Sequence, residues 1–262
     1  EASAGDWLLN QLELVQARSH NTLTIAEADE IIAEAVANDR MLTVYHNRRW
    51  DGDFATIRHL VESGQIGEIF EISCGFARYR RPGDGPGPYG GWWLDKEVSG
   101  GVLYPWGPHL VDWMLQLVGR PVQSVQGFAQ KKVWQHQTNE DHAQAILRFE
   151  GGAMGEVFVS DISAVPRPRW RIVGTQGGIL DDGTVEGGCK LFTRRDGQTR
   201  CTTVPWDGPD RWGEFWWDLA DHMLRADPLR VTPAEARRVV GVLEAAGKSS
   251  ETGRPESFPD KL

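Results

Sequence analysis

The strongest constraint on this chain is a succession of short runs in which apolar and polar side chains alternate, at 121–134, 142–149, 153–162, 169–174, 189–194 and 199–204. A period of two belongs to a β-strand with one buried face. Gly151-Gly152 and Asp196-Gly197 stand between two pairs of these runs, and both dipeptides suit hairpin turns. Strands joined so tightly run antiparallel. Six of them in series make a sheet with two faces. Helices can cover one; a second copy packed sheet to sheet would cover the other.

The rest of the chain supplies those helices. Thr24-Ile25-Ala26-Glu27 has the form of a capping box, and apolar residues at 25, 28, 31, 32, 35 and 36 carry a helix to Arg40. Met41 to Tyr45 reads as a strand, as does the end of 5–16, so strand–helix–strand is expected over 12–46. Further helices are expected at 53–63, 108–118, 211–226 and 233–247, the last opened by Thr232-Pro233. Residues 68–79 read as a strand, followed by a loop rich in Gly, Pro and Arg from Arg80 to Gly91. The expected class is α/β (α+β). Residues 1–46 form a remnant of a Rossmann-type parallel sheet. Residues 47–262 form a mainly antiparallel, open-faced sheet with helices on one face.

Composition narrows the partners. The net charge of −9 argues against nucleic acid or an anionic membrane. No run of 18 apolar residues is present, and Glu1 to Asp6 does not begin a basic-then-apolar leader, so a cytoplasmic protein is expected. Cys74, Cys189 and Cys201 are too few and too scattered for a disulfide framework or a zinc site. Twelve tryptophans are many for this length; most are expected in the core or at a subunit surface, a few as walls of a pocket.

Several stretches occur in a telling order. Leu23-Thr24-Ile25-Ala26-Glu27-Ala28-Asp29-Glu30 is followed by Val44-Tyr45-His46-Asn47-Arg48-Arg49 and Ser99-Gly100-Gly101-Val102-Leu103. Then come Trp106-Gly107-Pro108-His109-Leu110-Val111-Asp112 and Val173-Gly174-Thr175-Gln176-Gly177-Gly178. Together, over residues 20–262, these resemble the glucose-fructose oxidoreductase / inositol dehydrogenase (Gfo/Idh/MocA) family, mainly its C-terminal domain. The resemblance implies an N-terminal Rossmann domain that binds NAD(P). It also implies an α/β domain carrying much of the substrate pocket and the oligomer surface.

Three departures from the family pattern shape the functional expectation. No strand–glycine turn–helix unit precedes the matching region. The single formal match to the glycine fingerprint, Gly85-Pro86-Gly87-Pro88-Tyr89-Gly90, follows Arg80-Arg81-Pro82 rather than a strand, and its prolines remove amide donors. The family's Glu-Lys-Pro slot holds Arg18-Ser19-His20, and the slot of an Asp four residues before the histidine is Pro105. The resemblance gives that lysine a part in activating the reacting carbinol. A truncated, redox-inactive protein without cofactor or metal is therefore expected, repurposed for acid–base chemistry such as cyclisation, dehydration, isomerisation or lyase cleavage. The alternatives are an NAD(P)-dependent oxidoreductase, with a cofactor domain from another chain, and a non-catalytic binding or partner subunit.

Candidate residues follow from chemistry and position. His109, near a helix start that favours the neutral base, is the expected proton acceptor; a structural histidine is the competing account. Asp112, one turn on, could orient it or face solvent. His46, Arg48 and Arg49 follow the expected strand 41–45, at the end where α/β sheets hold ligands, and the arginines suit an oxyanion or form surface ion pairs. Tyr79 and Arg80 enter the Gly/Pro-rich loop. Asp95 and Lys96 precede Gly100-Gly101, and Lys96 could replace the missing lysine; an exposed charged turn competes. Trp106 and Trp170 are candidate pocket walls, and His136 and His142 are expected to be structural. A small-molecule substrate and a homodimer through the sheet complete the expectation.

Overall fold

The structure, a computed structural model, describes residues 24–83, 91 and 94–258. The expectations placed on residues 5–20, Gly85 to Gly90 and Trp92-Trp93 lie outside these residues.

Nine strands among the described residues join one sheet in the order β8-β7-β6-β5-β1-β4-β3-β2-β9. They are β1 (Ile69–Ala77), β2 (Val122–Gln130), β3 (His142–Phe149), β4 (Met154–Ser160), β5 (Trp170–Gly174), β6 (Gly177–Asp181), β7 (Gly188–Arg195), β8 (Gln198–Pro205) and β9 (Glu256–Ser257). Seven of the eight neighbouring pairs are antiparallel. The exception is β1 on β4, with Cys74 opposite Val157. Asp196 and Gly197, both at positive φ, make the β7–β8 turn, as the hairpin dipeptide requires.

The helices are α1 (Ile25–Ala37), α2 (Gly52–Glu62), the single turn α3 (Lys96–Ser99), α4 (Gly107–Val118), α5 (Glu214–Arg225) and α6 (Pro233–Thr252). The capping boxes of α1 and α6 form as read, Thr24 with Glu27 and Thr232 with Glu235. One sheet face, with Ile72, Cys74, Leu147, Val157, Trp170, Ile172 and Leu191, joins a core with Phe54 and Ile57 of α2, Trp113 and Met114 of α4, and Val242 of α6. Burying each such large side chain stabilises by roughly 1.5–3 kcal/mol. Gly127 of β2 lets α6 close on the sheet, because a Cβ there would collide with the carbonyl of Ala246. The opposite face, set by the strand register, carries Ser73, Gln144, Ile146, Met154, Glu156 and Phe158, the last buried beneath the Arg167 guanidinium at 3.7 Å. There Glu156 accepts from Ser73 and Arg167.

Four expectations need correction. Met41 to Tyr45 is not a strand. Val44 and Tyr45 pack instead on Trp50, Phe215 and Val231, and Thr43 donates to the Val231 carbonyl at 2.8 Å. No described strand lies beside the segment to pair with it, and the sheet's parallel pair is β1–β4. Residues 177–181 are absent from the expected strands but form β6; glycine is needed there because a Cβ on Gly178 would meet the Ile172 carbonyl at 2.7 Å. The run 121–134 stops pairing at Gln130, since the backbone amides of Lys132, Val133 and Trp134 turn to the Asp141 carboxylate. The last helix continues past 247 to Thr252.

Candidate functional site

Two pieces of chain build the site: the first turns of α4 and the segment from His46 to Asp53. Trp106 precedes α4, Gly107 and Pro108 begin it, and His109 follows half-buried in its first turn. Proline suits such a start because its missing amide would be unpaired there anyway. Asn47–Trp50 is a 3-10 turn, and its tight spiral sends neighbouring side chains to different sides. Arg49 goes in, Arg48 stays partly exposed.

Arg49 is 7% exposed and makes a two-pronged bond to Asp112, at 2.8 and 2.6 Å. It also donates to the Arg230 carbonyl and to Glu235 at 3.3 Å. Burial works against its charge, but the bonds to Asp112 and Glu235 raise its pKa further. Trp113 adds a second tie, donating from Nε1 to the Arg48 carbonyl at 2.9 Å. Asp112 thus does not face solvent. It holds the 3-10 turn against α4, and Arg49 is saturated by protein partners rather than offered to a ligand.

His46 is buried, its ring centroid 5.9 Å from that of His109 in an edge-on arrangement. Burial lowers its pKa; the opposing pull of Asp112, 4.0 Å from Nδ1, is weaker, and Arg49 adds to the lowering. His46 is therefore neutral at neutral pH, and its Nδ1 has no hydrogen-bond partner among the described residues. Trp106 stands 6.4 Å from His109 and 4.5 Å from Phe76, ring to ring. The Arg48 guanidinium lies 4.6 Å over Trp106 and 5.2 Å from Trp212.

Behind Arg48 lie two buried carboxylates that sequence reasoning missed. Asp51 accepts from Arg48 at 3.0 Å and from Trp212 Nε1 at 2.6 Å; burial raises its pKa against these donors. Asp53 accepts from Trp170 Nε1 at 3.1 Å and pairs with Arg169 at 2.9 Å. The available signal was the Asp-Gly-Asp run at a helix start.

Other candidates lie elsewhere. Trp170 is fully buried in the core and is no pocket wall. Tyr79 is exposed, bridged to Ile162 and packed on Trp134; the Arg80 amide donates to the Asp161 carbonyl. Lys96 pairs with Glu140 at 2.8 Å, which raises its pKa, and feels Glu251 near the end of α6. Asp95 and Lys96 line an open cavity of about 500 Å³ with Tyr104 and Thr138. His136 donates from Nε2 to the Pro82 carbonyl at 3.0 Å.

Gly52 and Gly107 begin helices, where a phosphate cradle would lie. A Cβ on Gly52 would strike the Gly208 carbonyl, and one on Gly107 would lie 2.8 Å from Leu243. Both close approaches are to protein, so no dinucleotide cradle is found among the described residues. They also hold no cluster of three or more His, Cys, Asp or Glu suited to a metal, and no helix long and apolar enough to cross a membrane.

Comparison with known proteins places this geometry. Residues 54–180 match the model of the GFO/IDH/MocA C-terminal domain. The chain is 30% identical to the uncharacterized oxidoreductase C115.03 of Schizosaccharomyces pombe, over 80% of its own length and 58% of that protein's. It is 25% identical to scyllo-inositol 2-dehydrogenase (NADP(+)) IolW of Bacillus subtilis, over 89% of its own length and 69% of that protein's. The solved structure of the putative oxidoreductase yvaA from Bacillus subtilis superposes with a TM-score of 0.78 at 26% identity, covering 90% of this chain and 71% of that one. The chain spans 58% and 35% of the first two curated relatives. The expectation of a cofactor-free protein is overturned, because IolW carries NADP(+) in its name and other relatives are named oxidoreductases. The redox-inactive account loses its support with it. The chain belongs to the Gfo/Idh/MocA family of oxidoreductases.

Proposed function

We propose that this chain supplies the substrate side of an NAD(P)-linked oxidoreductase acting on a hydroxyl group of a small polyol- or sugar-like molecule. The observation that carries it is the placement of His109: a half-buried imidazole in the first turn of α4, flanked by the neutral His46 and the Trp106 ring. The likeness to IolW over 89% of the chain supports the reaction class. The nicotinamide would supply hydride transfer, since no side chain stores a hydride. Its pyrophosphate cradle is not among the described residues, which supply the remaining parts. His109 takes the hydroxyl proton as the carbinol is oxidised and returns it in reduction. The neutral His46 beside it adds no positive charge that would oppose protonation of His109. Trp106 offers a flat apolar wall to the ring of a sugar or polyol.

The test is saturable binding of inositols and aldoses to this chain, read by calorimetry and by the ring resonances of His109. Binding that moves the His109 resonances is expected, and His109→Ala should weaken it roughly tenfold, about the worth of one hydrogen bond, with the fold intact by circular dichroism. No binding of any polyol, or binding that leaves the His109 resonances unmoved, refutes the proposal.

A further inference from the structure

The site holds a second feature, formed by Arg48 and Arg169. Arg48 reaches Asp51 Oδ2 at 3.0 Å, and Arg169 approaches the same oxygen at 3.9 Å, so the two guanidinium nitrogens lie within roughly 7 Å of each other. Both side chains retain exposure, 20% for Arg48 and 34% for Arg169, while Asp51 and Asp53 behind them are buried. Each guanidinium sits on an aromatic ring: Arg48 on Trp106, and Arg169 at 5.0 Å over Phe76, the ring that touches Trp106. The pair is therefore continuous, through Phe76 and Trp106, with His109.

Asp51 and Asp53 balance the two cations in charge but not in hydrogen bonds: Trp212 also donates to Asp51, and the Phe54 amide and Trp170 donate to Asp53, so the acids fix the two guanidinium groups without taking all their donors. A guanidinium has five donors, and Arg169 Nε is buried with no hydrogen-bond partner among the described residues. The donors that the two partly exposed guanidinium groups keep toward solvent suit a planar or tetrahedral anion. From this juxtaposition we infer that Arg48 and Arg169 form an anion-binding subsite, and that the preferred substrate carries a carboxylate or phosphate a few bonds from the reacting hydroxyl, as in a uronate or a phosphorylated polyol. The inference rests on the polyol-oxidising reading for the meaning of the site, but the subsite can be tested without it.

The experiment follows the Nε–H nitrogen-15 resonances of Arg48 and Arg169 in the whole chain, assigned with Arg48→Lys and Arg169→Lys. The protein is titrated with glucuronate, with glucose and with inorganic phosphate. The expected result is a saturable shift of the Arg169 signal with glucuronate or phosphate, at least tenfold tighter than with glucose, and weakened at least tenfold in Arg48→Lys. Equal response to glucose and glucuronate, or no shift with either anion up to tens of millimolar, overturns the subsite. A shift with phosphate but not glucuronate assigns the phosphorylated class; a shift with glucuronate alone assigns the uronate. Binding of neutral inositols beside His109 without an anion response sinks the subsite and leaves the proposed function standing. An anion response without binding of any polyol beside His109 does the reverse.

Discussion

Asp112 answers for more of the site than any other side chain. Its carboxylate is 2% exposed, and it fixes Arg49 and, through it, the turn that presents Arg48 and His46. Removing one member of a buried ion pair leaves the other charge stranded, at about 3–5 kcal/mol. Asp112→Asn should therefore lower the urea midpoint strongly, whereas Arg49→Met with Asp112→Leu should recover much of the loss. His46 carries a pH signature. Its folded pKa lies below the ordinary 6.5 because of burial, so above 6.5 folded and unfolded forms are both neutral. As pH falls below 6.5 the unfolded chain takes up a proton first, and stability is lost toward acid. Unfolding free energy should fall between pH 6.5 and 5, and His46→Gln should flatten that slope; His142, whose pKa burial and Arg167 also lower, leaves a remainder of the same sign. The residue types at 46, 48, 49, 109 and 112 were legible as candidates, but their roles were not. Arg49 and Asp112 are 63 positions apart, and no local spacing shows which of two adjacent arginines will turn inward.

At the scale of elements, what could be read were features whose signal is local. The capping boxes at Thr24 and Thr232, the Asp196-Gly197 hairpin and the alternation in β3 all formed where expected. What could not be read depends on a distant partner. Met41 to Tyr45 has strand-like residues but packs beside Phe215 and Val231 instead of pairing. β6 was hidden because glycine punctuates turns far more often than it allows one backbone to approach another. Gly127→Ala places a methyl group against the α6 backbone at Ala246, so it should destabilise by about 1–3 kcal/mol, visible as a lowered thermal midpoint. Gly253→Ala, at positive φ but in open space, would strain the backbone without pushing α6 off the sheet.

For the whole molecule, the sheet face turned away from the helices raises the matter of assembly. Phe128 and Met154 are 42% and 52% exposed there, set among Gln144, Ile146 and Glu156. We propose that two copies pair through this face, which would bury those side chains against charged partners that match by symmetry. Light scattering should return twice the monomer mass, and Met154→Glu with Phe128→Glu should return the monomer. The sheet also has a construction that its hairpins conceal. β1 lies between β4 and β5, though it precedes both by some eighty residues and more. The stretch leading from β4 to β5 must therefore pass over a strand already in place, and the two halves of the sheet meet nowhere else. A polypeptide cut after Ala77 would possess every later strand yet have a slot down its middle, with the backbone groups of two inner edges open to any extended segment that arrives.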